Sequence, residues 1–406
     1  LKVLQINTTV NTGSTGKIAE EVGKLLLIDG DESIVAFGRE GNSSESEKIA
    51  IGTKIDFYTH ILKTRLFDRH GFGSYQATNK LISSIEKLNP DMIHLHNIHG
   101  YYLNIEILFS FLKKFNKPIV WTLHDCWAFT GHCAHFEDIG CVKWKTHCNN
   151  CPKVKRYPSS WFIDNSFSNF SDKRRLFTSS NIHIVVPSRW LSNLVSESFL
   201  GLFPTTVIYN GVDTTIFNPL SDAEDTFRGY VRGRKVILGV SNVWQKSKGI
   251  DDFISLSKII SKDYVIVLIG MSPEQKGNLP ENIVGISRTE SPMQLAKWYT
   301  KATAFLNPTW SDNFPTTNIE ALSCGTPVVT YNTGGSPEAI DHKTGFVVER
   351  GDVEGMWLAI QQIEKKGRDF YMDICRKRAL KYFNKEDRYQ EYINLYQSLL
   401  KEYRGE

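Results

Sequence analysis

Short runs rich in β-branched residues recur along the chain, each closing on Gly, Asn or His and leading into a longer stretch of helical periodicity. That alternation predicts βαβ units and parallel sheets. In the first half, Lys2–Asn7, Ser33–Phe37, Met92–Leu95, Ile119–Leu123 and Ile182–Val186 read as strands, with helices around Ile18–Leu27 and over Leu103–Phe115. A second series follows Val207-Ile208-Tyr209-Asn210-Gly211, with strands at Val236–Val240, Tyr264–Ile269, Ile283–Val284, Ala304–Leu306, Pro327–Thr330 and Phe346–Val348. The segment Leu202–Pro219, with its two prolines and the turn dipeptide Asn210-Gly211, is the boundary between the two series. After Lys381 no strand follows, and Tyr389, Tyr392, Leu395, Tyr396 and Leu399 mark one face of a closing helix. The expected organisation is α/β: an N-terminal domain over 1–205, a C-terminal domain over 206–380 and a helix over 381–406.

Length supports two cores, because 406 residues exceed the size at which one core usually stops growing. Hydrophobic residues at 41% and charged residues at 23% exclude a disordered or fibrous chain. No apolar run approaches the roughly 20 residues that span a bilayer. The opening Leu1–Ile6 reads as a strand and not as a signal peptide, which places the expected location in the cytoplasm. A net charge of +4 is too small to argue for a nucleic-acid partner. Locally, however, Lys143, Lys145, Lys153, Lys155, Arg156, Lys173, Arg174 and Arg175 face only Asp164 and Asp172. This predicts a basic face suited to peripheral attachment at an anionic membrane surface or to a lipid-diphosphate acceptor; an ordinary solvated surface is the other reading.

One stretch has no period. From Cys126 to about Asn169, Cys, His, Trp, Pro and Lys are dense, as in a long functional loop inserted in the first domain. Five of the seven cysteines lie there, and Cys133, Cys141, Cys148 and Cys151 form C-x7-C-x6-C-x2-C. The last spacing is one that tetrahedral zinc uses, so a structural zinc stapling the loop is expected, with His132, His135 or His147 able to replace a thiolate. Reduced thiols and a disulfide are the competing readings. Cys324 and Cys375 read as small core residues.

Three segments could carry chemistry. Asn11-Thr12-Gly13-Ser14-Thr15-Gly16 joins a strand to a helix, so backbone amides near Gly13, Ser14 and Gly16 meet a positively polarised helix end; a plain tight turn is the alternative. Ser241 to Gly249 follows a strand and carries Lys246 and Lys248, cations able to balance a departing diphosphate. In Asp312-Asn313-Phe314-Pro315-Thr316-Thr317-Asn318-Ile319-Glu320, two carboxylates flank a helix start near Pro315. Amides of its first turn suit phosphate oxygens, Asp312 suits sugar hydroxyls and Glu320 suits a ribose.

The spacing from Asp312 to Glu320 resembles the E-x7-E element of retaining GT-B glycosyltransferases of family 4. Other segments align in the same order: Asn210–Pro219 with the domain junction, Gly239 to Gly249 with the G-R-x-x-x-x-x-K-G segment, and Gly334-Gly335-Ser336-Pro337-Glu338 with the G-G-x-x-E turn. The tract His124–Cys133 resembles a bacterial surface-polysaccharide subgroup.

The resemblance implies two Rossmann-like domains facing a central cleft, with the closing helix crossing back to the first domain. It implies that Lys248 binds the donor diphosphate, Glu320 the ribose and Asp312 the sugar. His124 would stand near the anomeric centre, and the amides near Gly16, Thr316 and Thr317 at the phosphates. Asn242, Asn313 and Phe314 belong to the same nucleotide-sugar set, and Arg288 with Thr289 approach the base. Two departures stand out: Asp312 replaces the family's usual Glu, and Asn242 its Arg, with Lys246 as a substitute cation. Pro315 offers no amide where many relatives have glycine.

The implied reaction is hexosyl transfer from a nucleotide-diphosphate sugar, a UDP-sugar by default, to a saccharide or polyprenyl-diphosphate-linked acceptor. No DxD pair suggests a divalent-cation site, so transfer is expected without a catalytic metal, and with retention. A nucleotide-sugar epimerase of the same architecture and a non-catalytic binding subunit of an assembly complex are the rivals. A dinucleotide oxidoreductase is disfavoured because the first loop lacks the GxGxxG fingerprint.

Overall fold

The computed structural model describes residues 1–220 and 227–406. They form two compact domains, one of Leu1–Ile208 with Tyr389–Glu406, the other of Tyr209–Arg388. The first is built on a seven-stranded sheet: β1 (Lys2–Asn7), β2 (Glu32–Phe37), β3 (Glu47–Ala50), β4 (Met92–Leu95), β5 (Ile119–Thr122), β6 (His183–Val186) and β7 (Thr205–Val207), in the order β3-β2-β1-β4-β5-β6-β7. All pairings are parallel. The second holds β8 (Lys235–Val240), β9 (Tyr264–Ile269), β10 (Ile283–Ile286), β11 (Ala304–Asn307), β12 (Val328–Tyr331) and β13 (Gly345–Val348), in the order β10-β9-β8-β11-β12-β13 and again all parallel. Both are Rossmann-like α/β domains, as the alternating pattern predicts.

Strands such as β4 and β9 are buried along their whole length, because helices cover both faces of a parallel sheet. Only β3 and β7 escape the sequence reading, and both are outermost strands. β3 exposes Glu47, Lys48 and Ala50, and β7 is three half-buried residues, so neither needs an apolar run. The helix expected over Leu103–Phe115 is shorter, Ile105–Leu112: the Asn104 side chain accepts from the Ile107 amide at 3.1 Å and fixes its start. The helices Lys54–Phe67 and Tyr75–Leu88 lie in a stretch where the sequence singled out no element.

The last helix, Lys385–Arg404, packs Tyr389, Tyr392, Ile393, Tyr396 and Leu400 against Val3, Met92, Val120, Val185 and Ile208. Its closing turns therefore complete the first domain's core. There the Tyr396 hydroxyl hydrogen-bonds His94 Nδ1 at 2.5 Å, while His94 Nε2 meets Thr122 Oγ1 at 2.8 Å. A second buried imidazole, His60, accepts at Nε2 from the amides of Gly71 and Gly73, both at 3.2 Å. Gly73 has no alternative residue, since a Cβ there would lie 2.3 Å from the His60 ring.

Burial pushes both imidazoles down to about 3. Tyr396→Phe leaves one His94 nitrogen without its partner and is expected to destabilise the protein by about 1–3 kcal/mol, read from denaturant midpoints; an unchanged midpoint would show the bond to be idle. The histidines also set a pH dependence. Below their unfolded value of about 6.5 the unfolded chain takes up protons that folded His60 and His94 refuse, so stability is full above that pH and falls as pH drops towards 4. Thermal melts across this window should show Tm decreasing with acidification, and a flat profile contradicts neutral buried rings.

Candidate active site

In an open parallel sheet, ligands bind beyond the carboxyl ends of the strands where the strand order reverses. In the second domain that point lies between β8 and β11, each of which leads into a loop of candidate residues. The loops are stitched together. The Trp310 amide donates to the Ser247 carbonyl at 2.9 Å, and Thr309 Oγ1 donates to the same oxygen at 3.2 Å. Gly249 adopts φ +75°, and a Cβ there would come within 2.3 Å of the Pro308 carbonyl oxygen, so only glycine permits this approach. Behind the loops, Asp252 accepts from Trp310 Nε1 at 2.8 Å and from the Tyr331 hydroxyl at 2.9 Å.

The consequence is a direct contact between the two residues given the central roles. Lys248 Nζ lies 2.6 Å from Asp312 Oδ2, with side chains 32% and 22% exposed, so the pair is both braced and open to solvent. Lys246 does not join it. That side chain is 91% exposed and 3.8 Å from Asp251, at the start of the next helix. Asn242 and Arg288 are exposed, and Arg288 follows β10, two strands away from β8.

Beyond Asp312 the chain turns into the helix Thr316–Ser323, with Pro315 at its N-cap. The Phe314 ring is buried, 5.1 Å from Tyr209 and 5.8 Å from Phe383 between centroids, and Asn210 Nδ2 donates to the Phe314 carbonyl at 3.3 Å. Phe314 thus anchors the helix entry through its side chain, and Asn313 is buried beside it. Thr316 and Thr317 are half-buried in the first turn. One turn on, Glu320 Oε2 accepts from the buried Tyr299 hydroxyl at 2.8 Å, which fixes that carboxylate. Asn318 Nδ2 binds Ser336 Oγ at 2.9 Å and holds the Gly334–Glu338 turn against the same helix.

In the first domain the order reverses between β1 and β4. The helix Gly13–Ile28 follows β1; Gly13 and Ser14 are exposed at its start, and Gly16 is buried, where a Cβ would lie 2.7 Å from Thr9 Oγ1. His124 follows β5, and its Nε2 lies 3.2 Å from His96 Nδ1. His96 Nε2 in turn meets Gln5 Oε1 at 3.0 Å, and Gln5 is oriented by donating to the Ala19 carbonyl at 2.8 Å. Since Gln5 Oε1 only accepts, neutral His96 carries its proton on Nε2, and His124 must donate from Nε2. The lone pair of His124 is then on Nδ1, and burial pushes its pKa down to about 4, so the ring is neutral near pH 7.

Two neighbours were not singled out from the sequence. His99 Nε2 lies 2.9 Å from Asp125 Oδ2, and His99 Nδ1 3.1 Å from the Tyr157 hydroxyl. His96, His99, His124 and Asp125 line one cavity of about 10 Å³. The repeated histidines at 94, 96 and 99, directly after an apolar run, were the available signal.

The long loop after β5 runs to Asn165, where the helix Ser166–Phe177 begins. Two of its candidate metal ligands are otherwise engaged. His132 Nδ1 is 2.6 Å from Asp68 Oδ1 with both side chains fully buried, and its Nε2 is 3.3 Å from the Arg156 carbonyl. His147 contacts the Cys148 carbonyl and Ser171 Oγ, both at 3.0 Å. Cys133, Cys141, Cys148 and Cys151 line a common cavity, although among the described residues no three His, Cys, Asp or Glu side chains stand in a ready-made metal geometry. The basic face is smaller than its sequence suggests. Lys153 is buried on Asp138 and the His135 carbonyl, and Lys173 is buried on the carbonyls of Trp127 and Thr130.

Comparison with known proteins matches both domains. Residues 17–216 match the family described as Glycosyltransferase Family 4, and residues 234–366 match Glycosyl transferases group 1. WcaC of Escherichia coli K12, named as a glycosyl transferase of colanic acid biosynthesis, is 26% identical over 98% of this chain and 100% of its own length. The capsular polysaccharide biosynthesis glycosyltransferase CapM of Staphylococcus aureus is 30% identical over 39% of this chain and 45% of its own. Among solved structures, sucrose-phosphate synthase from Thermosynechococcus elongatus superposes with TM-score 0.72 at 18% identity, covering 98% of both chains. Anabaena Alr3699/HepE, in complex with UDP and glucose, does so with TM-score 0.69 at 14% identity, covering 98% of this chain and 99% of its own. The chain is a glycosyltransferase and belongs to the family that carries these family 4 and group 1 domains.

Proposed function

We propose that this enzyme moves a hexosyl group from a UDP-sugar to a saccharide or polyprenyl-diphosphate-linked acceptor in bacterial surface-polysaccharide assembly, with retention and without a catalytic metal. The observation that carries this reading is the Lys248–Asp312 contact at the second domain's switch point, beside a helix N-terminus. The relatives named for colanic acid and capsule, and the UDP complex of a protein with this fold, support the substrate class. A donor diphosphate would replace Asp312 as the counter-anion of Lys248 and lie against the first-turn amides of Thr316 and Thr317. Asp312, so released, accepts from sugar hydroxyls, and Glu320, held by Tyr299, accepts from the ribose. The bond from the anomeric carbon to the phosphate oxygen breaks, the acceptor oxygen bonds to that carbon from the same face, and its proton passes to the departing phosphate.

The acceptor's lipid has a matching surface on the first domain. Ile55, Tyr58 and Leu62 are 76%, 65% and 51% exposed on one face of the helix Lys54–Phe67, flanked by Lys54 and Lys63. Trp161, Phe162 and Ile163 extend this apolar area, joined to the helix where the Trp161 amide donates to the Arg65 carbonyl at 2.7 Å. An apolar stripe edged with lysines suits docking on the anionic inner face of the membrane. No described helix is long and apolar enough to cross a membrane.

In a thermal-shift panel of uridine, guanosine and adenosine diphosphates and their sugars, the uridine compounds should give the largest shift. Lys248→Ala and Glu320→Ala should each abolish it, and shifts surviving in both would remove the site assignment. With a turned-over donor, Lys248→Ala is expected to lower kcat/KM by roughly 10²–10³-fold. Ile55→Glu combined with Phe162→Glu should release the protein from anionic vesicles in a sedimentation assay without altering the uridine diphosphate shift; unchanged sedimentation would refute the docking face.

A further inference from the structure

Between β5 and the helix Ser166–Phe177 the chain runs for some forty residues with only three short helical turns, Trp127–Phe129, Glu137–Ile139 and Lys143–Lys145. Such a segment gains little from backbone pairing and needs another source of order. Its aromatic contacts supply part: Trp144 stacks on Phe136 at 5.2 Å and meets Phe129 at a tilt of 59° and 5.3 Å. Four cysteines line the cavity beside Trp144, together with His132, Lys143 and Ser166 among others. Cys133, Cys141, Cys148 and Cys151 enter it from four separate points of the loop, and its volume of about 20 Å³ holds one water-sized occupant.

Three observations describe what that occupant must be. The cavity wall contains four thiols and no carboxylate, a soft donor set that excludes calcium and magnesium and suits zinc. The thiols are within mutual electrostatic reach: Cys133 faces Cys151, and Cys148 interacts with Cys133, Cys141 and Cys151. One polar atom of the wall lacks what a metal–thiolate would give it: Ser166 Oγ is buried with no hydrogen-bond partner, and a thiolate sulfur would accept from it. Behind the wall, Lys173 is buried and donates to the carbonyls of Trp127 and of Thr130, itself a lining residue.

We infer that Cys133, Cys141, Cys148 and Cys151 bind one structural zinc ion as four thiolates, with Ser166 donating to the ligand sulfurs and Lys173 offsetting the net negative charge. Binding releases four protons to solvent, and no oxidation is involved. A closed four-sulfur site leaves no position for substrate, so this zinc acts on the loop's order and not in sugar transfer.

The test uses the full chain, produced under reducing conditions without a histidine tag. Elemental analysis should find one zinc per chain, released by a mercurial thiol reagent and counted with a colorimetric chelator. Cys148→Ser and Cys151→Ser should lose the zinc, while Cys126→Ala, a buried cysteine of the same loop that does not border the cavity, should keep it. Stripping zinc from the wild type should speed proteolytic cleavage between residues 133 and 165 several-fold, and leave the uridine diphosphate shift of the other domain unchanged. Wild-type protein free of zinc after growth in zinc-supplemented medium would overturn the inference, as would a mass two hydrogens short that maps to a Cys133–Cys151 disulfide. Because metal content is read on the unmodified protein, misfolding of a variant cannot mask either result.

Discussion

The second domain depends on one close approach, that of the loop after β8 to the loop after β11. Strand order reverses there, so nothing in the sheet's own hydrogen bonding holds the two loops together. Gly249 lets the backbones meet, the Ser247 carbonyl takes two donors, and Asp252, on the helix that follows the first loop, ties the second loop to it through Trp310. A cation and a carboxylate are thereby fixed in contact before any ligand arrives.

The first domain handles charge in the opposite way. His60, His94 and His124 lie in low-dielectric surroundings where burial is the largest influence, and they persist as neutral rings. The relay from Gln5 through His96 to His124 fixes which nitrogen of each ring carries the proton. A side chain that is usually an acid or a base near neutrality becomes an oriented acceptor, set by a glutamine whose own amide is held by a helix carbonyl.

The sheets were legible because a parallel strand covered on both faces is largely apolar, as β4, β8, β9 and β12 are. β3 and β7 lack that mark: each is an outermost strand with little buried surface, and unlike the edge strands β10 and β13 neither carries an apolar run. The position of Lys248 just before a glycine, and of Asp312 and Glu320 on either side of a helix start, was legible in their spacing. Sequence distance could not reveal that Phe314 serves by filling the core, that Lys246 turns towards Asp251, or that Lys153 and Lys173 are interior cations. Each of these depends on which way a side chain points once distant segments pack. His99 and Asp125 were missed for the same reason, being 26 residues apart and joined only by folding.

The interleaving of the domains along the chain has a consequence for biogenesis. Residues 389–406 follow the whole second domain along the chain, yet they fill the core of the domain whose strands precede it. The second domain, complete by Arg388, can close while the first still exposes Val3, Met92, Val120 and Val185 on one side of its sheet. A chain made only as far as Arg388 therefore carries a sticky apolar face that residues 389–406 cover once they are added.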